Sequence, residues 1–538
     1  MSALSRREFL KYTGVAAGVA ALDPLVLACS NGSSAASKAG GTLVISLPTE
    51  SDIFDPHATG GWDTYKHTLQ MFEGLTKENL TDANEKVPSI QPALAEKWDL
   101  SEDKTTYTFH LRQGVKFHDG TDFNADAAVF NIRRIWDKTF ESYYARANAF
   151  SGQYFVYLKD IQKVDDHTVK MTLKQPFSDF LRMQNQSYGE PLMISPTQVK
   201  KLGNEGFAAN PIGTGRFKFM ERTAGAHATM LRSDSYWGSD KALVEKLIFV
   251  WVSDAQAALA GLKSGQAHLK LWVPPDDVDP IKSGGFNVSM NKGPIVNYWY
   301  LNTRHPILKD KKVRQAINLS IDRDSLVRNI SKGTNTPATG LIPPGCNAFD
   351  SSFKGWAYDP TKAKALLADA GYPNGFSVKF MIPEYGGYQD TFNARMQQDW
   401  KKVGINIDYQ KLEWVTYMHK WAEGLAPDVG ALQLGWGMSA DYWFQLVANG
   451  NNMPPNGTNS GWYQNRDVDA LLDKAAKEFD DAKRRDLYQK AHQIVIMEDA
   501  AFAPYTFDLA PIALTSKVKG FVNPPEDWFQ LWTVSLSG

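Results

Sequence analysis

The sequence predicts an α/β protein built as two lobes with mixed sheets. Strand and helix patterns alternate in its second half, with a strand at 376–382, a helix at 392–403 and a strand at 405–412. Such an alternation predicts a mixed sheet that is covered by helices. The chain has 538 residues, too many for one hydrophobic core, so more than one lobe is expected. Its 43% hydrophobic and 22% charged residues are typical of globular proteins.

Charge and cysteine content narrow the class of protein. The formal net charge of −1 gives no overall attraction to nucleic acid or anionic lipid, so we expect no nucleic-acid partner. The two cysteines are Cys29 and Cys346. If Cys29 carries a lipid, no disulfide can form, and Cys346 is expected to be a structural thiol in a Pro-Pro-Gly-Cys-Asn loop.

Residues 1–28 are predicted to be a signal peptide. Residues 5–11 read SRREFLK, a twin-arginine pattern, and the apolar stretch 15–27 is too short to span about 30 Å of hydrocarbon. The letters VLAC that end at Cys29 look like a lipobox, which predicts lipidation of this thiol after cleavage. The alternative is a plain cleaved signal with an incidental cysteine. Residues 29–41 are small and polar, and we expect a flexible tether.

The stretch 94–136 predicts strand, turn, strand, tight turn and amphipathic helix. Tyr107, Phe109 and Leu111 alternate with polar residues, the period of a half-buried strand. A second short strand is expected at Val115, and Asn124 can cap the helix that follows.

Further elements are predicted on either side of this stretch. We expect a strand at 42–47, a helix at 62–75, a hairpin of strands 161–164 and 168–173, and a long helix at 468–499 that can break. The tail 521–534 is expected to return to the first lobe.

Several stretches resemble the family 5 extracellular solute-binding proteins, the oligopeptide, dipeptide and nickel receptors of bacterial ABC importers. The letters LAEKW and YTFHLRQGVKFHDGTDFNADAAVFNIRR within 94–134 carry most of the resemblance. Residues 72–75 (FEGL) and 313–323 (VRQAINLSIDR) also match family segments. Residues 210–217 resemble the motif P-x-G-T-G-P-[YF], with Arg216 in place of the usual proline.

The resemblance implies a two-lobed periplasmic-binding-protein fold of type II, similar to cluster C, with a small domain inserted in the first lobe. Lobe I would comprise 42–74, 206–296 and 506–538, and lobe II would comprise 297–505. The inserted domain would be 75–205. Hinge closure would occur at the two crossings near 290–297 and 503–510.

The binding chemistry is predicted to concentrate at 435–443, GWGMSADYW. Its glycines let the backbone approach a ligand closely, and Trp436 would line the cleft. In the oligopeptide receptors the Asp at the matching place pairs with the α-ammonium of a peptide, which implies that role for Asp441. The alternative for Asp441 is a helix-cap or turn carboxylate.

Further residues are predicted to line the cleft from their positions in the sequence. Glu50 falls where the family's first loop offers a Glu to the ligand, with a solvated loop carboxylate as the alternative. Trp62, Tyr300 and Tyr385 are expected to complete the lining. Tyr300 lies on a strand from which Tyr298 faces the same way and Trp299 the opposite way.

Departures from the family leave the ligand class open. Two extra residues separate Trp436 from Ala440, and the dipeptide receptors' Gly-Asp-Pro-Asp is missing. The arginines that read a ligand carboxylate are replaced by Leu434 and by residues 383–385 (PEY). A ligand other than a peptide therefore stays possible on these residues.

Motifs of catalysis are missing from the sequence. It contains no G-x-S-x-G, no H-E-x-x-H and no G-x-G-x-x-G, and no G-K-[ST] follows the glycines of 213–215. His110 and His118 could share a metal, but structural or solvated histidines are the favoured interpretation. We expect no enzyme, no metal and no cofactor.

The expected function is that of an extracytoplasmic solute receptor, in the periplasm or at the cell surface. The favoured ligand is an oligopeptide, and an oligosaccharide stacked on Trp faces is the alternative. An exported hydrolase and a periplasmic holdase are further alternatives. The expected partners are an ABC permease and, through a lipid anchor, the membrane, with the receptor itself a monomer.

Overall fold

The computed structural model describes residues 40–537 except 52, 60, 83, 186–190, 292, 294, 385–387, 438–439, 456 and 526–527. Cys29 and the predicted signal peptide lie outside the described residues, so the predictions for them stay predictions. In the described part of the chain, no helix is both long and apolar enough to cross a membrane. From Lys38 onward the chain forms one compact unit, and the predicted division into lobes and an inserted domain stays a prediction.

The strands are numbered along the chain. They are β1 (Thr42–Leu47), β2 (Thr76–Glu78), β3 (Ile90–Pro92), β4 (Ala95–Leu100), β5 (Thr106–Leu111), β6 (Leu158–Asp165), β7 (Thr168–Leu173), β8 (Phe217–Thr223), β9 (His227–Arg232), β10 (Lys246–Trp251), β11 (Leu269–Lys270), β12 (Asn287–Ser289), β13 (Ile295–Leu301), β14 (Asn335–Pro337), β15 (Phe376–Pro383), β16 (Ile405–Leu412), β17 (Val429–Trp436), β18 (Phe502–Asp508), β19 (Ile512–Leu514), β20 (Val518–Lys519) and β21 (Ser535–Leu536).

The α-helices are numbered in the same way. They are α1 (Trp62–Met71), α2 (Ala125–Trp136), α3 (Ala145–Ser151), α4 (Phe180–Met183), α5 (Pro196–Ala209), α6 (Ala255–Ser264), α7 (Pro275–Ser283), α8 (Lys311–Leu319), α9 (Arg323–Leu326), α10 (Pro360–Asp369), α11 (Tyr388–Lys402), α12 (Trp414–Glu423), α13 (Tyr442–Ala448), α14 (Arg466–Ala476) and α15 (Asp481–Gln493).

A seven-stranded mixed sheet has the order β12-β19-β11-β1-β10-β9-β8. β1 runs parallel to β10 and β11, and β19, from near the end of the chain, lies between β11 and β12. Leu43, Ile45 and Leu47 of β1 belong to its hydrophobic core. The tail joins the same core through Phe529 and Leu531.

A six-stranded mixed sheet has the order β14-β18-β13-β17-β15-β16. It separates two hydrophobic cores. Tyr298 and Tyr300 belong to one core and Trp299 belongs to the other, because side chains alternate along a strand. This confirms the predicted facing of the three side chains.

A four-stranded antiparallel sheet has the order β4-β5-β7-β6. Its strands β4 and β5 belong to the stretch 94–136, which carries most of the family resemblance. The hairpin of β6 and β7 confirms the prediction, and Asn124 Oδ1 caps α2 by accepting the Ala127 N–H at 3.0 Å. The short strand predicted at Val115 is reduced to a single bridge between Lys116 and Asp122.

One predicted helix ends earlier than expected, and a second one breaks as predicted. The helix expected at 62–75 ends at Met71, after which the chain extends and carries Glu73 to partners of its own. The helix expected at 468–499 breaks after Ala476. Asp480 caps the next helix by accepting the backbone N–H groups of Ala482 and Lys483, each at 3.0 Å.

Candidate functional site

The candidate site begins at the carboxyl ends of parallel strands in the seven-stranded sheet. β1, β10 and β11 are parallel and end at Leu47, Trp251 and Lys270. Ligands of open α/β sheets bind outside the carboxyl ends of the strands. The loop of 48–61 that follows β1 therefore lies at a binding edge.

The six-stranded sheet has a matching edge. β15 runs parallel to both β16 and β17, and these strands end at Pro383, Leu412 and Trp436. Trp436 therefore stands at the carboxyl edge of this sheet, where ligands of open α/β sheets bind.

Two chain crossings join the two edges. The first runs from Ser289 at the end of β12 to Ile295 at the start of β13, and β13 enters beside Trp436. The second runs from Asp508 to Ile512, which pair with Ile295 and Ser289. Because both crossings connect the same pair of carboxyl edges, the two edges lie next to each other at the crossings.

Polar side chains hold the crossings together. Asn297 donates through Nδ2 to Thr506 Oγ1 at 3.1 Å and to Asp508 Oδ1 at 2.8 Å. Asn335 donates to the same carboxylate oxygen of Asp508. A cavity of about 30 Å³ lies beside this cluster and is lined in part by Trp272.

Glu50 lies on the first edge and is engaged by the protein. Its carboxylate accepts from Arg222 Nε at 3.1 Å and from the Gly225 backbone N–H at 2.9 Å. Arg222 also donates to the Ser51 carbonyl at 2.9 Å, and its guanidinium lies over the ring of Trp251 at 5.6 Å. A ligand role for Glu50 stays a prediction, and Arg222 is a cation of this edge that the sequence did not single out.

A fully buried ion pair fixes the loop that carries Glu50. Arg134 of α2 donates to Asp55 Oδ2 at 2.5 Å, and neither side chain is exposed to solvent. His57 accepts from Arg134 at Nδ1 and donates from Nε2 to the Leu192 carbonyl. Burial, and then the charge of Arg134, lower the pKa of His57 to about 4, so its ring is neutral at neutral pH.

The second edge carries Trp436. This side chain is half-buried and packs edge-on against Trp421, with ring centroids 6.0 Å apart. Gly435 before it has no room for a side chain, because a Cβ there would lie 2.6 Å from Asn297 Oδ1. The glycine thus leaves room for the Asn297 side chain, and Trp436 follows it at the end of β17, paired with Val296.

Tyr300 is placed beneath the site. It is fully buried, donates from its hydroxyl to the Thr458 carbonyl at 3.0 Å and packs on Phe502 at 5.2 Å. The described contacts account for a packing role, and its role as a ligand residue stays a prediction. Tyr385 lies outside the described residues, as does the side chain of Trp62.

Asp441 is buried in the described structure. Its Oδ1 accepts the Ala348 backbone N–H at 2.8 Å, and its side chain makes no capping hydrogen bond to α13. Burial, and then the nearby carboxylate of Asp179, raise the pKa of Asp441 to about 7. Pairing with a ligand ammonium stays a prediction.

Glu73 explains the departure at Arg216. The Glu73 carboxylate accepts from the Tyr236 hydroxyl and from Trp237 Nε1, at 2.9 and 2.8 Å. Arg216 pairs with Glu73 at 3.5 Å and stacks on Trp532 of the tail at 3.9 Å. The cation at 216 directly precedes β8 and therefore joins the tail to Glu73 on the side of the sheet opposite the first edge.

Metal ligation has no support in the described residues. No group of three or more His, Cys, Asp or Glu side chains there could hold a metal ion. His110 pairs with Asp99 at 2.8 Å, and His118 donates to the Gly215 carbonyl at 2.8 Å. Cys346 is buried in a hydrophobic core.

Comparisons with known proteins cover nearly the whole fold. The family of bacterial extracellular solute-binding proteins, family 5 middle, matches residues 89–454. Glutathione-binding protein GsiB of Escherichia coli (strain K12) is 30% identical over 497 residues, 91% of this chain and 92% of the relative. Heme-binding protein A of Haemophilus influenzae is 29% identical over 480 residues, 84% of each chain.

A solved structure agrees with these relatives. The periplasmic binding protein DppA from Helicobacter pylori, in complex with peptide STSA, superposes with a TM-score of 0.82 at 26% identity. The match covers 93% of this chain and 98% of DppA. The chain belongs to family 5 of the bacterial extracellular solute-binding proteins, the substrate-binding components of ABC importers.

Proposed function

We propose that the protein captures an oligopeptide in the cleft between the two carboxyl edges and delivers it to an ABC permease. One lobe would comprise 42–74, 206–296 and 506–538, and the other 297–505, with an inserted domain at 75–205. The two lobes close over the ligand at the crossings. The protein binds its ligand without turnover and acts as a monomer.

The observation that carries this proposal is the match to peptide-binding relatives over the full fold. GsiB is named for glutathione, itself a tripeptide, and the structure of DppA holds a peptide. Both relatives cover more than nine-tenths of this chain, so the matched region includes both edges of the cleft.

The charges of the cleft restrict the kind of peptide. Leu434 stands where the family's oligopeptide receptors carry an arginine, and it is buried at the end of β17. No cation from that position reads the carboxyl end of a ligand. Arg222, a cation of the first edge, is paired with Glu50, and Lys270 at the end of β11 is buried. We propose a peptide whose backbone and side chains, rather than its carboxyl terminus, are recognised.

An oligosaccharide is the second candidate. Trp251, Trp272 and Trp436 lie at or next to the ends of β10, β11 and β17, on both sides of the cleft. Aromatic faces on opposite edges suit the apolar faces of sugar rings as well as peptide side chains.

A thermal-shift screen tests the proposed function. Short peptides, glutathione and oligosaccharides are added separately, and a ligand that binds only the folded protein raises its melting temperature by mass action. The proposal is supported if peptides raise the melting temperature and oligosaccharides leave it unchanged. The reverse result supports the second candidate, and hydrolysis of any compound during the assay contradicts a binding protein without turnover.

Closure is expected to contract the molecule. The two edges are joined by two crossings, which permits rigid-body rotation about them. Small-angle scattering should show a smaller radius of gyration with a ligand from the screen than without it. A compound that the screen rejects serves as the control, and an unchanged radius with a saturating ligand would contradict hinge closure.

We propose that the chain is exported by the twin-arginine route and anchored by lipid at Cys29. The support is the order of twin arginines, apolar stretch and VLAC in residues 5–29. In fractionated cells, Cys29→Ser should move the protein from the membrane to the soluble fraction. Cys346→Ser removes the other cysteine and should leave it membrane-bound. A membrane-bound Cys29→Ser variant at wild-type levels would rule out the anchor.

A further inference from the structure

Two buried carboxylates meet where distant parts of the chain touch. Asp179 precedes α4 and Asp441 precedes α13, and their side chains are nearly inaccessible to solvent. Asp179 Oδ2 accepts the Tyr442 backbone N–H at 3.0 Å, and Asp441 Oδ1 accepts the Ala348 N–H at 2.8 Å. Each carboxylate therefore accepts a hydrogen bond from the backbone, and the donor to Asp179 is the residue that directly follows Asp441 in the chain.

The surrounding contact is a docked interface. The Ser178 N–H donates to the Ala476 carbonyl at 2.8 Å, and the rings of Phe177 and Tyr442 are 4.6 Å apart. Tyr442 and Leu446 belong to the hydrophobic core of the four-stranded sheet, although they follow the six-stranded sheet in the chain. The four-stranded sheet and α13 are thus packed together at the acid pair.

The four-stranded side of this interface is fixed to the first edge of the cleft. Arg134 of α2 forms the buried ion pair with Asp55. The His118 backbone N–H donates to the Gly213 carbonyl at 2.8 Å, which ties the turn after β5 to the segment before β8. Under the closure of the proposed function, on which this inference rests, the contact of Asp179 with Asp441 crosses the moving boundary.

No cation neutralises the pair by direct contact. In the described part of the chain, neither Asp179 nor Asp441 forms an ion pair. Arg182 is bound to Glu78, and Arg484 is bound to Asp481 at 2.6 Å, so both act on the pair only from a distance. The other titratable groups around the pair are Asp473, Asp481, Tyr107, Tyr157, Tyr442 and Tyr488.

Two neighbouring buried carboxylates cannot both be ionised cheaply, so the pair retains a proton. Burial raises the pKa of Asp179, and burial together with Asp179 raises that of Asp441 to about 7. If the interface opens, water reaches both carboxyl groups and their pKa values return to about 3.9.

We propose that Asp179 and Asp441 form a proton-linked latch, in which closing the cleft takes up one proton at this acid pair. The sign follows from the two states. The pKa of the acid pair is raised in the closed form. The latch therefore stabilises the closed form fully at a pH below the open-state pKa, and this stabilisation is lost as pH rises through about 7. Ligand affinity should therefore fall roughly tenfold or more between pH 5.5 and pH 8.

The matched variant is Asp179→Asn. Asparagine keeps an oxygen to accept the Tyr442 N–H and removes the carboxylate that adds to the effect of burial on the pKa of Asp441, so closure takes up less of a proton. Calorimetry with the tetrapeptide STSA and with glutathione, on wild type and variant from pH 5.5 to 8, cancels the titration of the peptide itself. The affinity of the wild type should fall with rising pH. The fold-change in affinity of the variant over the same pH range should be at least threefold smaller. Equal pH slopes in both proteins would overturn the latch.

Asp441→Asn separates the latch from an ammonium-binding role. The latch predicts that it flattens the pH dependence, as Asp179→Asn does. An affinity loss of about a hundredfold or more at every pH, with Asp179→Asn like wild type, would overturn the latch and support pairing with a ligand ammonium.

The latch can be tested even if the protein binds no peptide. If neither peptide binds, the ligand-free radius of gyration is compared at pH 5.5 and pH 8. Wild type should expand more between pH 5.5 and pH 8 than Asp179→Asn does. Identical behaviour of the two proteins would overturn the latch, whichever ligand is later found.

Discussion

Replacement of Arg134 by methionine is expected to lower the free energy of unfolding by about 3–5 kcal/mol. Arg134 and Asp55 have no solvent exposure, so methionine would leave the Asp55 carboxylate buried without its cation. His57 cannot substitute, because burial already holds its pKa at about 4 and its ring is neutral. Denaturant unfolding measures the difference.

Two comparisons sharpen this test. Lys116 pairs with Asp122 at 2.6 Å in an exposed position, and Lys116→Met should cost less than about 1 kcal/mol. The double variant Asp55→Asn with Arg134→Met removes both charges and should recover part of the loss. An Arg134→Met protein within 1 kcal/mol of wild type would show that the pair does not fix the loop.

Trp436→Ala is expected to weaken binding of a ligand from the screen about thirtyfold, equivalent to about 2 kcal/mol. Trp436 stands at the carboxyl end of β17 beside the crossings, where its removal takes an aromatic face from the cleft. Calorimetry gives the affinity, and unfolding checks that the variant is folded.

Trp98 provides the matched control. It is also half-buried, but it belongs to β4 of the four-stranded sheet and not to either of the sheets that carry the carboxyl edges. Trp98→Ala should leave affinity within about twofold, a change of only about 0.4 kcal/mol. Equal losses in the two variants would mean that Trp436 acts through stability and not through the ligand.

Local periodicity accounts for what the sequence predicts well. The alternation of Tyr107, Phe109 and Leu111 places β5, and the alternation around Trp299 gives both faces of β13. Asn124 and Asp480 mark the starts of helices, because their side chains cap backbone N–H groups only two or three residues away. These signals lie within a few residues, so sequence alone carries them.

The candidate site depends on partners that no local pattern reveals. Glu50 is held by Arg222, 172 residues later, and the backbone N–H of Tyr442 reaches Asp179 across 263 residues. Arg216 is visible as a departure from a family motif, but its stacking on Trp532 requires the folded tail. The sequence therefore predicts where the cleft lies better than it predicts which of its charges are available.

The position of β19 within the seven-stranded sheet has a consequence for biosynthesis. Residues 512–514 form the strand between β11 and β12, so the sheet that begins with Thr42 cannot be completed before these late residues have been synthesised. Leu43, Ile45 and Leu47 share their core with Phe529 and Leu531, which are synthesised later still. During synthesis, native assembly of this sheet and its core must therefore wait until residues 512–531 have left the ribosome.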